Sequence, residues 1–83
     1  MGSESLLGPF EEMVLLAVAR GGGDEYGMTV RREIEERTGR DITIGAVYAT
    51  LERLEKKGLL GSTLGSGSPE RRGRARRYFQ LPP

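Results

Sequence analysis

The apolar residues of this chain are spaced as in helices up to Gly58 and as in short strands after it. Before Gly58, three segments repeat apolar residues at intervals of three and four, the period of an amphipathic helix. After Gly58, the runs "LLGSTL" and "ARRYFQL" favour strands, and the turn-forming stretch "GSGSPERRGR" separates them. Three helices followed by a strand, a loop and a strand predict a winged helix-turn-helix, a mainly α fold with a small β-hairpin. The segment "DIT" before the third helix is a candidate for a short third strand.

The first helical segment is the most apolar of the three. Pro9 and Glu11–Glu12 suit a first turn, because proline needs no N–H there and carboxylates favour the positive end of a helix. Gly21–Gly23 end the segment. We expect nearly all of this helix to be buried. Its apolar face is formed by residues at helical spacing: Phe10, Met13, Val14, Ala17 and Val18.

The second helix is shorter, and its apolar stripe is narrow. Tyr26, Val30 and Ile34 are spaced by four residues, with charged residues between them. Gly39 is the expected C-cap, because glycine tolerates the left-handed conformation in which many helices end.

The third helix carries the most regular pattern. Thr43 is its expected N-cap and Gly58 its expected C-cap. The apolar residues lie 3, 4, 7 and 10 positions from the first of them, which places them on one face. They are Ile44, Val47, Tyr48, Leu51 and Leu54.

The opposite face of the third helix is bare near its start, where Gly45, Ala46, Ala49 and Thr50 are all small. The last helix of a helix-turn-helix lies in the major groove of DNA, and small residues permit that approach. Thr43 and Thr50 offer hydroxyl groups, and Arg53 is placed to reach a phosphate or a base edge. A small-residue face packed against another helix is the alternative that the pattern leaves open.

The charges of the 83-residue chain are segregated along the sequence. Residues 1–70 carry all twelve acidic residues and eight basic ones, a net charge of −4, whereas residues 71–83 carry five arginines and no acid. Such segregation indicates a face for a polyanion, although a solvated basic tail has the same composition. The arginines are Arg71, Arg72, Arg74, Arg76 and Arg77.

These arginines divide between the loop and the second strand of the predicted hairpin. Arg71 and Arg72 lie at the loop tip. Strand alternation turns Arg74 and Arg76 away from the core and places Arg77 on the inner face, where Phe79 and Leu81 would close the core. Arginine suits phosphates and a narrow minor groove, because its guanidinium binds them through two N–H groups.

Composition excludes several classes of function. The chain has no Cys and no His, which excludes disulfides and the thiol and imidazole ligands of metal sites and removes the usual general base. We therefore expect no cofactor, no metal and no enzymatic activity. No apolar run reaches the roughly 20 residues that span a bilayer, so we expect no membrane partner and a cytoplasmic location.

The sequence resembles the PadR family of bacterial transcriptional regulators from Leu6 to Leu81. The first helix, "LLGPFEEMVLLAVA", resembles the family's leucine-rich start, and "DEYGMTV" resembles its glycine-tyrosine element. The third helix, "GAVYATLERLEKKGLL", is similar to the pattern "GTLYPALxRLExxGL", and the wing "GRARRYFQL" to "GRxRKYYxLT". The last two matches together are fairly specific.

The resemblance implies a repressor that binds operator DNA as a homodimer. It implies a recognition helix over Thr43–Lys57. In the wing, Arg74 corresponds by resemblance to the family's arginine that follows a glycine, and Arg76 and Arg77 come after it. Glu25 stands where the family often has glycine, and Ala46 and Ala49 replace its common threonine and proline, which makes the base preference unpredictable. The residues that the resemblance places toward DNA are Thr43, Gly45, Ala46, Tyr48 and Ala49.

Members of the family continue after the wing into C-terminal helices that dimerise and often help to form an effector pocket. This sequence ends at "LPP", so we expect residues 1–83 to form a single winged-helix DNA-binding domain without those helices. A very small variant, a shortened chain and a domain that dimerises through Leu6, Leu7 and Leu15 are the alternatives. The sequence shows no obvious effector pocket.

A different class of function stays open beside DNA binding. A winged helix also serves as a protein-interaction module, with the first helix as the contact surface. RNA binding is less supported, because the sequence offers no evident exposed aromatic platform for base stacking.

Overall fold

The computed structural model describes residues 7–21, 26–65 and 77–82. Within these ranges the chain forms three helices followed by a two-stranded antiparallel sheet, which confirms the predicted fold class. The elements are α1 (Pro9–Arg20), α2 (Gly27–Thr38), α3 (Ile44–Lys56), β1 (Gly61–Leu64) and β2 (Arg77–Gln80). None of the helices in this part of the chain combines the length and the apolarity needed to cross a membrane.

Helix α1 begins at Pro9, as its sequence predicts. The Glu11 carboxylate accepts a hydrogen bond from the Gly8 backbone N–H (3.1 Å), which satisfies one of the N–H groups that a helix start leaves unpaired. The expected apolar face points inward. The expectation that nearly all of α1 is buried is wrong, because Leu16 lies on the outer side with 54% of its surface exposed. Leu7 and Leu15 are partly buried against the core.

A glycine follows each of the second and third helices. Gly39 is the C-cap of α2, as predicted, whereas the C-cap of α3 is Lys57, one residue before the predicted Gly58. Gly39 follows α2 with φ of 71°, and Gly58 has φ of 81° one residue after Lys57, the C-cap of α3. Both lie in the left-handed region, which residues with a Cβ rarely adopt. At the other end of α3, the Thr43 hydroxyl accepts a hydrogen bond from the Ala46 N–H (3.1 Å), which confirms the predicted N-cap.

The core lies where the three helices meet and is closed by the sheet. The buried stripe of α3 is central to it, and Phe79 of β2 is fully buried beside residues from all three helices. Ile44 and Tyr48 of the predicted α3 stripe are partly buried at its edge. The buried apolar residues are Val14, Ala17, Val18, Val30, Ile34, Val47, Leu51, Leu54, Leu60 and Phe79.

The sheet forms the described part of the wing. Its strands are shorter than the sequence runs suggest, and residues 41–43 form no strand. Leu81 does not close the core: β2 ends at Gln80, and 46% of the Leu81 surface is exposed. The register pairs Gly61 with Gln80, Ser62 with Phe79, Thr63 with Tyr78 and Leu64 with Arg77.

Helix α2 approaches α3 closely at Gly27, its first residue. Gly27 is buried, and a Cβ built on it would lie 2.3 Å from Cζ of the Tyr48 ring and 2.7 Å from its hydroxyl oxygen. Real Cβ atoms do not approach other atoms so closely, so only glycine fits there unless the Tyr48 ring moves. The absence of a side chain at Gly27 is therefore what lets the Tyr48 ring of α3 pack against the start of α2.

We predict that Gly27→Ala destabilises the protein by about 1–3 kcal/mol, because the added methyl group forces Tyr48 out of its packed position. Gly45→Ala is the matched control: Gly45 lies in the first turn of α3, and a Cβ there meets nothing within 4 Å. The control is expected to leave stability unchanged or raise it by up to about 1 kcal/mol. Urea unfolding of the two variants checks this, and equal stability of Gly27→Ala and the wild type would contradict it.

Candidate nucleic-acid interface

The turn between α2 and α3 is fixed by a carboxylate. Oε2 of Glu35 accepts hydrogen bonds from the Ile42 backbone N–H (3.0 Å) and from Nε of Arg31 (3.3 Å). Ile42 also packs against the core. These contacts hold the chain just before Thr43, so they determine where α3 begins and how it leaves α2.

The same contacts shift the acidity of the glutamate. The Ile42 N–H, followed by the Arg31 guanidinium, lowers the pKa of Glu35 below its usual value of 4.5 because both favour the charged carboxylate. Glu35 is therefore ionised near neutral pH, in the form that binds the turn.

One side of α3 is exposed and changes character along its length. Ala46, Ala49, Arg53 and Lys56 follow one another at intervals of three and four residues, so they form one stripe of the helix surface, which we call the exposed face. All four are exposed, and Gly45 beside them is exposed too. The exposed face carries small residues in the N-terminal half of α3 and cationic residues in the C-terminal half.

Thr50 does not belong to the exposed face, and the expectation that it offers a hydroxyl outward is wrong. It lies three residues after Val47 and four before Leu54, so it shares their side of the helix and is only 1% exposed. Its hydroxyl donates to the Ala46 carbonyl oxygen (2.9 Å) and accepts from Nη2 of Arg53 (3.1 Å). Thr43, in contrast, is exposed, although its hydroxyl caps α3.

Glu11 of α1 binds two basic residues of α3. Its carboxylate lies 3.3 Å from Nε of Arg53 and 3.1 Å from Nζ of Lys57. The Gly8 N–H, followed by Lys57 and Arg53, lowers the pKa of Glu11. Arg53, a predicted contact residue, is thus anchored at one side of its guanidinium, while 55% of its side chain stays exposed.

Tyr48 lies at the edge of the core rather than on the exposed face. Its ring is partly buried against Gly27, in agreement with its place on the apolar stripe. The neighbouring aromatic contact joins α2 to the wing: the rings of Tyr26 and Tyr78 meet edge to face, with 5.8 Å between centroids. An aromatic pair of this geometry adds to the packing between the two elements.

The base of the wing is attached to α3 through Arg77. Nη2 of Arg77 lies 2.6 Å from Oε1 of Glu55, and Nε donates to the Ser62 hydroxyl (3.1 Å), which in turn donates to Oε2 of Glu55 (2.7 Å). The guanidinium also lies over the Phe79 ring at 5.4 Å, on the inner side that strand alternation predicts. Arg77 thus joins both strands to α3. Arg71, Arg72, Arg74 and Arg76 lie outside the described residues.

Sequence reasoning missed two exposed cations near the predicted contacts. Arg40 lies in the turn, three residues before Thr43, and Lys56 lies on the exposed face. In the ranges that the structure describes, neither takes part in an ion pair. In the sequence, Arg40 is followed by Asp41 and the two charges cancel. The position of Arg40 in the turn before α3 is the one signal that could have identified it. No cluster of three or more potential metal-binding side chains occurs among the described residues.

Residues 15–83 match the transcriptional regulator PadR-like family. None of the curated proteins matches the chain.

Solved structures with the same fold include two regulators and one DNA complex. A Streptococcus transcriptional regulator is 27% identical, with a TM-score of 0.69, and the match covers 98% of this chain and 74% of that one. A PadR family transcription regulator from hypervirulent Clostridium difficile is 24% identical, with a TM-score of 0.69 and coverage of 90% and 73%. The Aeropyrum pernix ORC1 protein in complex with DNA is 22% identical, with a TM-score of 0.71 and coverage of 90% and 21%. The match to the complex structure of hsRosR-S4, which is 25% identical with a TM-score of 0.71, covers 93% of this chain and 59% of that one.

We predict that Glu35→Gln lowers the melting temperature near pH 7, because the neutral amide loses the charge that Arg31 and the Ile42 N–H stabilise. The folded protein lowers this pKa, so the carboxylate's contribution is complete above the unfolded pKa and is lost as pH falls through the folded one. The melting temperatures of variant and wild type should therefore converge at a pH acidic enough to protonate Glu35 in the folded protein. Glu36→Gln, an exposed neighbour, should leave the curve unchanged. An equal deficit at both pH values would contradict the electrostatic account.

Proposed function

Since this chain belongs to the transcriptional regulator PadR-like family, we propose that it is a repressor that binds operator DNA in the bacterial cytoplasm. Residues 1–83 form one winged-helix DNA-binding domain in this proposal. Helix α3 lies in the major groove, and the arginine-rich wing contacts the backbone or the minor groove. Two copies bind together, because helix-turn-helix dimers read half-sites about one helical turn apart.

The observation that carries the proposal is the exposed face of α3. The major groove is about 12 Å wide, close to the diameter of a helix with its side chains, so bulky residues would hold the helix away from the bases. On this side, the first two turns of α3 carry no long side chain, because Gly45, Ala46 and Ala49 are all small. Thr43 and the edge of Tyr48 flank these residues and complete the proposed base-contacting set.

Cations surround this bare surface in positions suited to phosphates. Arg53 and Lys56 follow it along the exposed face, and Arg40 precedes it in the turn. A helix inserted in the groove has a phosphate backbone on either side, and contacts to phosphates fix the position of the protein on the duplex. Glu11 pairs with Arg53 and Lys57 but not with Lys56. Lys56 has no ion pair in the described part of the chain, so its charge is available to a phosphate.

The wing supplies the second group of proposed contacts. Arg77 serves as its anchor, because its guanidinium is held by Glu55 and Ser62. The proposed contacts to DNA are made by the four arginines that precede it in the sequence, Arg71, Arg72, Arg74 and Arg76. The ORC1 protein that shares the fold was solved in complex with DNA, which supports a nucleic-acid partner for a domain of this shape.

The direct test is a fluorescence-polarisation titration of the full chain with the duplex flanking its gene, at two salt concentrations. Each phosphate neutralised contributes about −0.9 to the slope of log affinity against log salt. Four or more contacts therefore give a slope steeper than about −3.5. Absence of binding at low salt, or binding that salt does not weaken, would overturn the proposal.

We predict that Ala49→Glu weakens binding by about tenfold or more, because it places a bulky negative charge on the exposed face of α3 against the phosphates. Ala19→Glu makes the same change of charge at an exposed alanine of α1 and should alter affinity little. Both positions are exposed, so both variants should fold. Equal losses in the two variants would mean that only net charge matters and that α3 is not the reading helix.

A further prediction separates DNA binding from a protein-interaction module. Replacing Arg74 and Arg76 together by alanine should reduce the salt slope by about 2 and weaken DNA binding, with the oligomeric state unchanged. Sedimentation of the same samples measures that state. Loss of a protein assembly with unchanged DNA affinity would instead favour the interaction module.

A further inference from the structure

The guanidinium of Arg53 is held by two hydrogen bonds to protein groups. Nε donates to the Glu11 carboxylate (3.3 Å), and Nη2 donates to the Thr50 hydroxyl (3.1 Å). An arginine side chain at a helix surface normally samples many rotamers, and the two hydrogen bonds restrict this freedom. Here one partner lies on α1 and the other lies within α3 itself.

These two hydrogen bonds leave part of the guanidinium unused. An arginine side chain has five N–H groups, and the bonds to Glu11 and Thr50 use one on Nε and one on Nη2. Both N–H groups of Nη1 and the second one of Nη2 have no acceptor among the described residues, and the side chain is 55% exposed. Arg53 follows Ala46 and Ala49 on the exposed face. The unused N–H groups belong to the residue that borders the bare part of that face.

The Thr50 hydroxyl is suited to this role by its own hydrogen bond. It is almost fully buried and donates its proton to the Ala46 carbonyl oxygen (2.9 Å). A hydroxyl group has one proton, so it can act only as an acceptor toward Arg53. Burial and the bond to Ala46 together give the acceptor a fixed direction.

We propose that Thr50 is a positioning residue that, with Glu11, holds the Arg53 guanidinium ready to bind a DNA phosphate. The inference rests on the proposed function and adds to it a residue that does not touch DNA. The physical reason is entropic. An arginine already held in its bound geometry loses little freedom when the phosphate arrives, so more of the contact energy appears as affinity.

The test replaces Thr50 by valine, which keeps the shape of the buried side chain and removes the hydroxyl, and with it both the acceptor for Arg53 and the hydrogen bond to the Ala46 carbonyl oxygen. We expect Thr50→Val to bind the flanking duplex about two- to tenfold more weakly than the wild type, the range expected for one newly mobile side chain. Thr50→Ser retains the hydroxyl and should restore most of the affinity. Thermal unfolding of both variants checks that the fold is intact.

A double-mutant cycle with Arg53→Ala distinguishes positioning from general destabilisation. If Thr50 acts through Arg53, Thr50→Val has no effect on affinity in the Arg53→Ala background. The same fractional loss in both backgrounds would overturn the inference, as would wild-type affinity of Thr50→Val. Failure of the wild type itself to bind DNA would instead refute the proposed function, so the two failures are distinct. Should Thr50→Val prove unfolded, Thr50→Ala takes its place in the cycle, and the same affinity changes support or overturn the inference.

Discussion

The burial of one stripe of α3 is the constraint on which the rest of the structure depends. Val47, Leu51 and Leu54 are fully buried between the other helices and the wing, which fixes the rotation of α3 about its own axis. Once that rotation is fixed, the opposite side must face outward, because the helical period allows no other arrangement. The core and the exposed face are therefore two consequences of a single packing choice.

Three glutamates then tie α3 to each neighbouring element. Glu11 links it to α1 through Arg53 and Lys57, Glu35 of α2 holds the turn that leads into it, and Glu55 links it to β2 through Arg77. All three contacts are partly exposed, so each contributes modestly to stability. Their common effect is orientation: they fix the helix and its basic side chains relative to the rest of the domain.

Most of the fold could be predicted from the sequence, because helix period, capping residues and glycine positions are local signals. Thr43 and Gly39 acted as predicted for that reason. The prediction for Thr50 was wrong because its small size suggested the outer face of α3, whereas its spacing from Val47 and Leu54 places it on the buried face. The ion pairs of Glu11 and Glu55 were not predictable. Glu11 pairs with residues 42 and 46 positions away in the sequence, and Glu55 with a residue 22 positions away, and separations of this size carry no periodic signal.

The pairing of Leu64 with Arg77 has a consequence for how such domains diversify. Leu64 and Arg77, which flank residues 65–76 in the sequence, lie side by side in the sheet, and Arg77 is attached to α3. Closing a longer loop between fixed ends is inexpensive: doubling its length costs only about 0.6 kcal/mol. The segment can therefore lengthen, shorten or change its charge over evolutionary time while the anchored frame stays as it is. Related domains can therefore differ in the length and charge of this segment while keeping the same core.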